Sequence, residues 1–282
     1  MKTAGLLLLV IALGTGAFIG LRSVFADVNP DSPEFYFTRL AYSESPNGCC
    51  RHRGGFRQRT MPVPPPFDCP EFGGRNFFPP QGWGWGTDYP GGDCKFMGGI
   101  HRLTGMRVSP NPNVIGVKDP RLFKFPFVYI VEPGGMYFDD QDAGIMREYL
   151  LRGGFLFADD FWGLREGGNF AAQMRKVFPE RALEVIPLTD EVFHTFFDVE
   201  SLIQVPNQGQ GCYGGPTFEV YDDTEPRVYG IRDDNGRLMV IATYNSDFGD
   251  AWEYMDLPCY PEKYSGRAYR VGMNIMIYAM TH

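Results

Sequence analysis

The apolar positions of the chain change period several times, and each change marks an element. FPFVYIVE, residues 125–132, is a short, nearly continuous apolar run, the pattern of a strand covered on both faces. DDQDAGIMREYLLRGG, residues 139–154, opens with acids, carries Ala143, Met146 and Leu150 on one helical face and stops at Gly153-Gly154. FLFAD (155–159) is the next strand, and GGNFAAQMRKVF (167–178) the next helix. Strand, helix, strand, helix with short connections predicts an α/β fold with a mostly parallel sheet and helices on both faces.

The same reading extends in both directions. EFYFTRLAY (34–42) is an earlier strand, and GGDCKFMGGIHRLTG (91–105) has Phe96, Ile100 and Leu103 at helical spacing, with Asp93 placed to cap. LEVIP (183–187) is a strand and DEVFHTFF (190–197) a short helix or turn. PRVYGIRDDNGRLMVIATYN is a hairpin turning at Asp234-Asn235-Gly236. A closing helix is expected from Arg267, with Val271, Ile275 and Tyr278 at helical spacing. Between the first strand and Thr87 the chain is rich in Pro, Gly and Arg and has no period, so about 45–82 reads as a long insertion.

Composition adds compartment. With 44% hydrophobic and 15% aromatic residues, 282 residues can fill a substantial core. Residues 1–26 read as a signal peptide or N-terminal anchor: Lys2, an apolar stretch over 4–21, then the small-residue pattern Val24-Phe25-Ala26. A helix over 4–21 is about 27 Å long against a hydrocarbon core of about 30 Å, so cleavage after Ala26 is favoured over anchoring. Residues 27–282 are then expected to be a single α/β domain in the periplasm or cell envelope, meeting the membrane only through the N-terminal segment. Cleavage removes Lys2 and Arg22, leaving 24 basic against 34 acidic residues, a net charge of −10. That balance argues against nucleic acid as the main partner.

Six cysteines, at 49, 50, 69, 94, 212 and 259, read as disulfides in an oxidising compartment, with the pairing left open. A metal site from Cys49, Cys50 and His52 lacks the usual ligand spacing. Arg51, Arg53, Arg57, Arg59 and Arg75 put a basic face on the insertion. It is either a solvated, disulfide-tied loop or a docking face for an envelope protein or anionic polymer.

The candidate chemistry is carboxylate chemistry. In an open parallel sheet ligands bind beyond the carboxyl ends of the strands. Asp159 and Asp160, in FLFADDFWG, sit at that edge with Trp162 beside them; the bland alternative is that one caps the following helix. GWGWGTDYPGGD contributes Trp85, Asp88, Tyr89 and Asp93, and YNSDFGDAWEY contributes Asn245, Asp247, Asp250 and Glu253. On a helix, Asp247, Asp250 and Glu253 share a face. Carboxylates beside Trp and Tyr suit sugars; carboxylates with Asn and carbonyls suit calcium or magnesium. His194 reads as a structural histidine rather than a catalytic one. No GxSxG, HExxH, phosphate-binding GxxxxGK[ST] or post-strand GxGxxG occurs, and Cys212 in QGCYGG is a poor match to a nucleophile elbow.

FYFTRLAYSE, WGTDYP, LLRGGFLFADDFWG, YNSDFGDAWEY and VGMNIMIYAMTH resemble the bacterial exported or membrane-attached proteins of domain-of-unknown-function family 4159, over roughly residues 34–282 apart from the insertion. The resemblance implies the class I glutamine amidotransferase-like fold, a flavodoxin-like three-layer sandwich shared with trehalose-utilisation-type proteins. Amidotransferases of that superfamily carry a cysteine at an elbow beyond one strand. Here ADDFWG stands at the comparable position, with Asp160 or Phe161 in place of the nucleophile, so glutaminase activity is not expected.

Three readings follow. The first is an envelope domain binding a small polar or carbohydrate ligand through Asp88, Asp159, Asp160, Asp247, Asp250 and Glu253, with Asn245 nearby and Trp85 and Trp162 as stacking surfaces. The second is a hydrolase of sugar-like material, with Asp160 as base or cation ligand and His194 or Glu253 as partner. The third is an interaction protein using the Arg-rich insertion. Carboxylates about 5–10 Å apart in a concave pocket favour glycoside chemistry; a tight oxygen cluster favours a metal.

Overall fold

A computed structural model describes residues 32–44, 69 and 84–282. The expected export segment and most of the insertion, with Cys49, Cys50, His52 and the named arginines, lie outside them.

Nine strands and six α-helices follow one another in the described chain. The strands are β1 (Thr38–Ala41), β2 (Ser43–Glu44), β3 (Asn113–Gly116), β4 (Phe127–Val131), β5 (Met136–Tyr137), β6 (Phe155–Phe161), β7 (Glu184–Val185), β8 (Arg227–Arg232) and β9 (Leu238–Tyr244). The helices are α1 (Gly91–Thr104), α2 (Asp140–Leu151), α3 (Gly163–Val177), α4 (Gln208–Tyr213), α5 (Phe248–Glu253) and α6 (Glu262–Thr281). The main sheet has seven strands in the order β3-β1-β4-β6-β9-β8-β7. Its pairings from β3 through β9 are parallel, and the β8–β9 hairpin and the β7 edge are antiparallel. β2 and β5 form a small antiparallel ladder.

The apolar alternation explains the layers. Phe127, Tyr129 and Val131 of β4 face a core shared with Phe96 of α1, Trp252 of α5 and Ile275 of α6. Val128 and Ile130 face the other core, with Met146 of α2 and with Phe170 and Met174 of α3. Both faces of the sheet are therefore covered, as its continuous apolar strands require. The result is a three-layer α/β unit spanning Phe35–His282. Among the described residues no helix is long and apolar enough to cross a membrane.

Chain order sets the binding edge. From β1 the chain crosses to β3 at the sheet edge, then returns to β4 on the other side of β1. In open α/β sheets such a reversal marks where ligands bind, here the carboxyl ends of β1 and β4.

Several boundaries differ from the sequence pattern. β6 runs through Asp159 and Asp160 to Phe161, because both aspartates find partners at the strand end. α3 starts at Gly163, four residues early. There Gly163 takes a left-handed φ of 68°, and the Trp162 N–H donates to Glu166 Oε2 at 2.8 Å. α6 starts at Glu262, directly after Pro261, its polar first turn having masked the start. Asp93 does not cap α1: its carboxylate pairs with Arg39, and Pro90 stands at the N-cap without a side-chain bond.

Candidate functional site

The carboxyl ends of the central strands gather acids from separate segments. β6 ends in a bulge where the register with β9 shifts between Asp159 and Phe161. Asp160 sits in that bulge at φ 59°, a left-handed conformation that costs a non-glycine residue about 1–3 kcal/mol. Asp88 (φ 61°), Glu132 (φ 49°) and Asn245 (φ 56°) share it. Backbone strain of this kind collects where side chains must be aimed.

The two adjacent aspartates have different work. Asp159 is fully buried, and its Oδ2 accepts from Tyr129 Oη at 3.1 Å and from the backbone N–H groups of Phe248 and Gly249 at 2.8 and 3.0 Å. It therefore anchors the first turn of α5. Burial pushes its carboxyl up to about 7 even though these hydrogen bonds and one from Thr243 favour the charge. Asp160 accepts from Trp162 Nε1 at 2.7 Å. Burial, then Glu132, Glu219, Asp88 and Asp159, drive its carboxyl well above the ordinary range.

α5 delivers the next set. Asp247 is its N-cap and accepts the Asp250 N–H at 2.8 Å. Asp250 Oδ2 accepts the Gln208 N–H at 2.6 Å. Burial, followed by Asp160 and Asp250, raises Asp247 strongly; burial also raises Asp250. Glu253 is pushed up to about 7 by burial and then by Asp250. Asp88 rises well above its usual range through burial and the charges of Asp250 and Glu253. Arg39 lies beside this group but binds Asp93 and the carbonyls of Trp85 and Thr87. Lys95 donates to the Glu253 carbonyl at 2.6 Å and to Asp256.

Two sets of carboxylate oxygens draw close. One oxygen from each of Asp88, Asp250 and Glu253 lies within 4.8 Å of the others, and the same holds for Asp160, Glu219 and Asp247. Such clusters hold protons, hydroxyl donors or cations, since unrelieved buried anions are too costly.

The other expected residues fall elsewhere. Asn245 is buried and holds backbone: it accepts from Gly163 N–H at 2.9 Å and donates to the carbonyls of Asp223 and Glu225. Trp85 and Trp162 are each 4% exposed, so the structure places both in the core rather than as faces turned to solvent. His194 is bonded to the Leu188 carbonyl at 2.8 Å and to Asp198 at 3.1 Å, and none of the strand-end acids is among these partners.

Sequence reasoning missed Glu132, Glu219 and Arg39. Glu132 had a usable signal, for it ends the FPFVYIVE run just as Asp159 and Asp160 end FLFADD. Its Oε2 accepts the Gly84 N–H at 3.0 Å. Arg39 was visible as a charge inside a strand. Glu219 had none, lying on an irregular segment that Cys212–Cys259 ties back near its start.

A comparison with curated proteins finds no match. The family model for the domain of unknown function DUF4159 matches residues 80–280, which include β3 through β9 and the acids that converge at the strand ends, and the chain belongs to that family.

Proposed function

We propose that this chain is an exported, envelope-associated binding domain of amidotransferase-like, flavodoxin-like fold, without the cysteine nucleophile, that takes a small hydroxyl-rich ligand of carbohydrate type at the strand ends. The observation that carries the reading is the convergence of Asp88, Glu132, Asp160, Glu219, Asp247, Asp250 and Glu253 on one edge of the sheet. Carboxylates accept from hydroxyl groups and repel phosphates and other anions. Exposed Tyr213 and Tyr221, 85% and 82% accessible, flank Glu219 in sequence and supply faces for a sugar ring. Export is supported by the disulfides Cys69–Cys94 and Cys212–Cys259.

A thermal melt of the full chain against a panel of sugars tests it. A saturating ligand at 100 times its Kd adds about 2.7 kcal/mol, roughly 5–10 °C here. The reading requires such a shift in the wild type and its loss in Asp160→Asn; no shift with any sugar contradicts it.

One observation favours a hydrolase as the second reading. Glu253, pushed up to about 7, can give or take a proton near neutral pH. Turnover of chromogenic glycosides that disappears in Glu253→Gln would support it, and no turnover by the wild type would remove it.

A further inference from the structure

We propose that Asp88, Asp250 and Glu253 form a binding site for a calcium-type divalent cation within the strand-end cluster. The inference rests on the reading of that edge as the ligand site, and adds what the site holds.

Asp88 supplies the deciding observation. It is 7% exposed; its Oδ2 meets no donor group, and its carboxyl lies within hydrogen-bonding reach of another acid of the same cluster, Asp250. A buried carboxylate oxygen without a donor is costly, and proteins retain one where a ligand completes it. That oxygen is aimed at α5, which carries the other two acids: it lies 2.0 Å from where a Cβ on Gly249 would stand. Across the gap, Glu253 Oε1 lies 2.5 Å from where a Cβ on Gly91 would stand. Glycine at both positions lets the two carboxylates lie against backbone. The cradle is therefore built from both sides, by α1 and by α5.

The spacing and the donors select the ion. Oxygens on opposite sides of a cation at about 2.4 Å are about 4.8 Å apart, the span within which the three ligand oxygens lie. All are hard oxygen donors, with no histidine or thiolate among them, which fits calcium and disfavours zinc. Asp250 and Glu253 are only partly buried, leaving room for water or a ligand hydroxyl to fill the remaining positions. A cation held here presents its open positions to a polyol. The Asp160, Glu219 and Asp247 cluster makes a weaker case, since it has no counterpart to the buried Asp88 Oδ2 that meets no donor.

The test is isothermal titration of the full chain with calcium chloride and magnesium chloride at pH 7.5, for wild type, Asp88→Asn, Glu253→Gln and, as a surface control, Asp234→Asn. The expected result is one calcium per chain, weakened at least tenfold in Asp88→Asn and in Glu253→Gln and unchanged in Asp234→Asn. Using both site variants keeps the test decisive if one does not fold. Absence of saturable calcium binding, or equal affinity in all four proteins, overturns the proposal. Repeating the sugar melts in chelator separates the two readings: a sugar shift that survives chelation while calcium fails to bind removes the cation alone, and no sugar shift with or without calcium removes the ligand reading.

Discussion

Asp88 Oδ2 and Gly249 are in such close approach that a methyl group on Gly249 would stand 2.0 Å from the oxygen. An alanine there must expel the carboxylate or shift α5. Gly249→Ala is expected to lose about 1–3 kcal/mol to overpacking, lowering Tm by roughly 2–12 °C, and to abolish any calcium-dependent stabilisation. Gly144→Ala is the control. Nothing lies within 4 Å of its added Cβ, and it should be neutral or gain up to about 1 kcal/mol. Paired melts with and without calcium check both.

Arg39 and Asp93 form a fully buried ion pair between β1 and α1. It holds the loop carrying Asp88, because Arg39 also binds the carbonyls of Trp85 and Thr87. Removing one partner strands the other charge. Asp93→Asn or Arg39→Met should cost about 3–5 kcal/mol, or roughly 6–20 °C in Tm. The double variant Arg39→Met/Asp93→Leu should cost less than the sum of the single changes, a coupling that a double-mutant melt measures directly.

Stability should fall as pH rises. Burial lifts Asp159 to about 7 in the folded chain, against about 3.9 when unfolded. The folded state then holds a proton that the unfolded state has released, so this contribution is complete below about pH 4 and lost as pH passes through about 7. Melts in chelator at pH 5, 6, 7 and 8 should show a steady fall in wild type. Asp159→Asn keeps the acceptor that Phe248 and Gly249 need, and it should flatten the slope. A wild type with no pH dependence, or an equal slope in the variant, refutes this.

The layers of the fold were legible because burial writes itself into period. FPFVYIVE and FLFAD gave the covered strands, and Gly153-Gly154 gave the end of α2. What stayed hidden depended on contacts between distant segments. Asp93 looked like a cap because its partner Arg39 lies 54 residues away. Asp159 and Asp160 look identical in sequence. Only the fold shows one holding backbone donors of α5 and the other turned into a bulge among acids. Trp85 and Trp162 had the composition of a sugar platform, yet both pack into the core, where aromatic area stabilises most. Glu219 joined the site through an irregular segment that carries no period to read.

The central claim is that the strand-end acids are kept for a ligand and not for the fold. Sites of that kind hold repulsion that the ligand-free protein would be better without. The most direct test is the ligand-free melting temperature of Asp160→Asn beside wild type, in chelator at pH 7.5. The variant keeps the acceptor for Trp162 Nε1 and replaces an ionisable carboxyl, disfavoured as an anion beside Glu132, Glu219 and Asp88, with a neutral amide. An equal or higher melting temperature is the predicted result. A fall of more than about 5 °C, which is roughly 1–3 kcal/mol in a domain of this size, would mean that Asp160 holds the structure together, and would contradict the account.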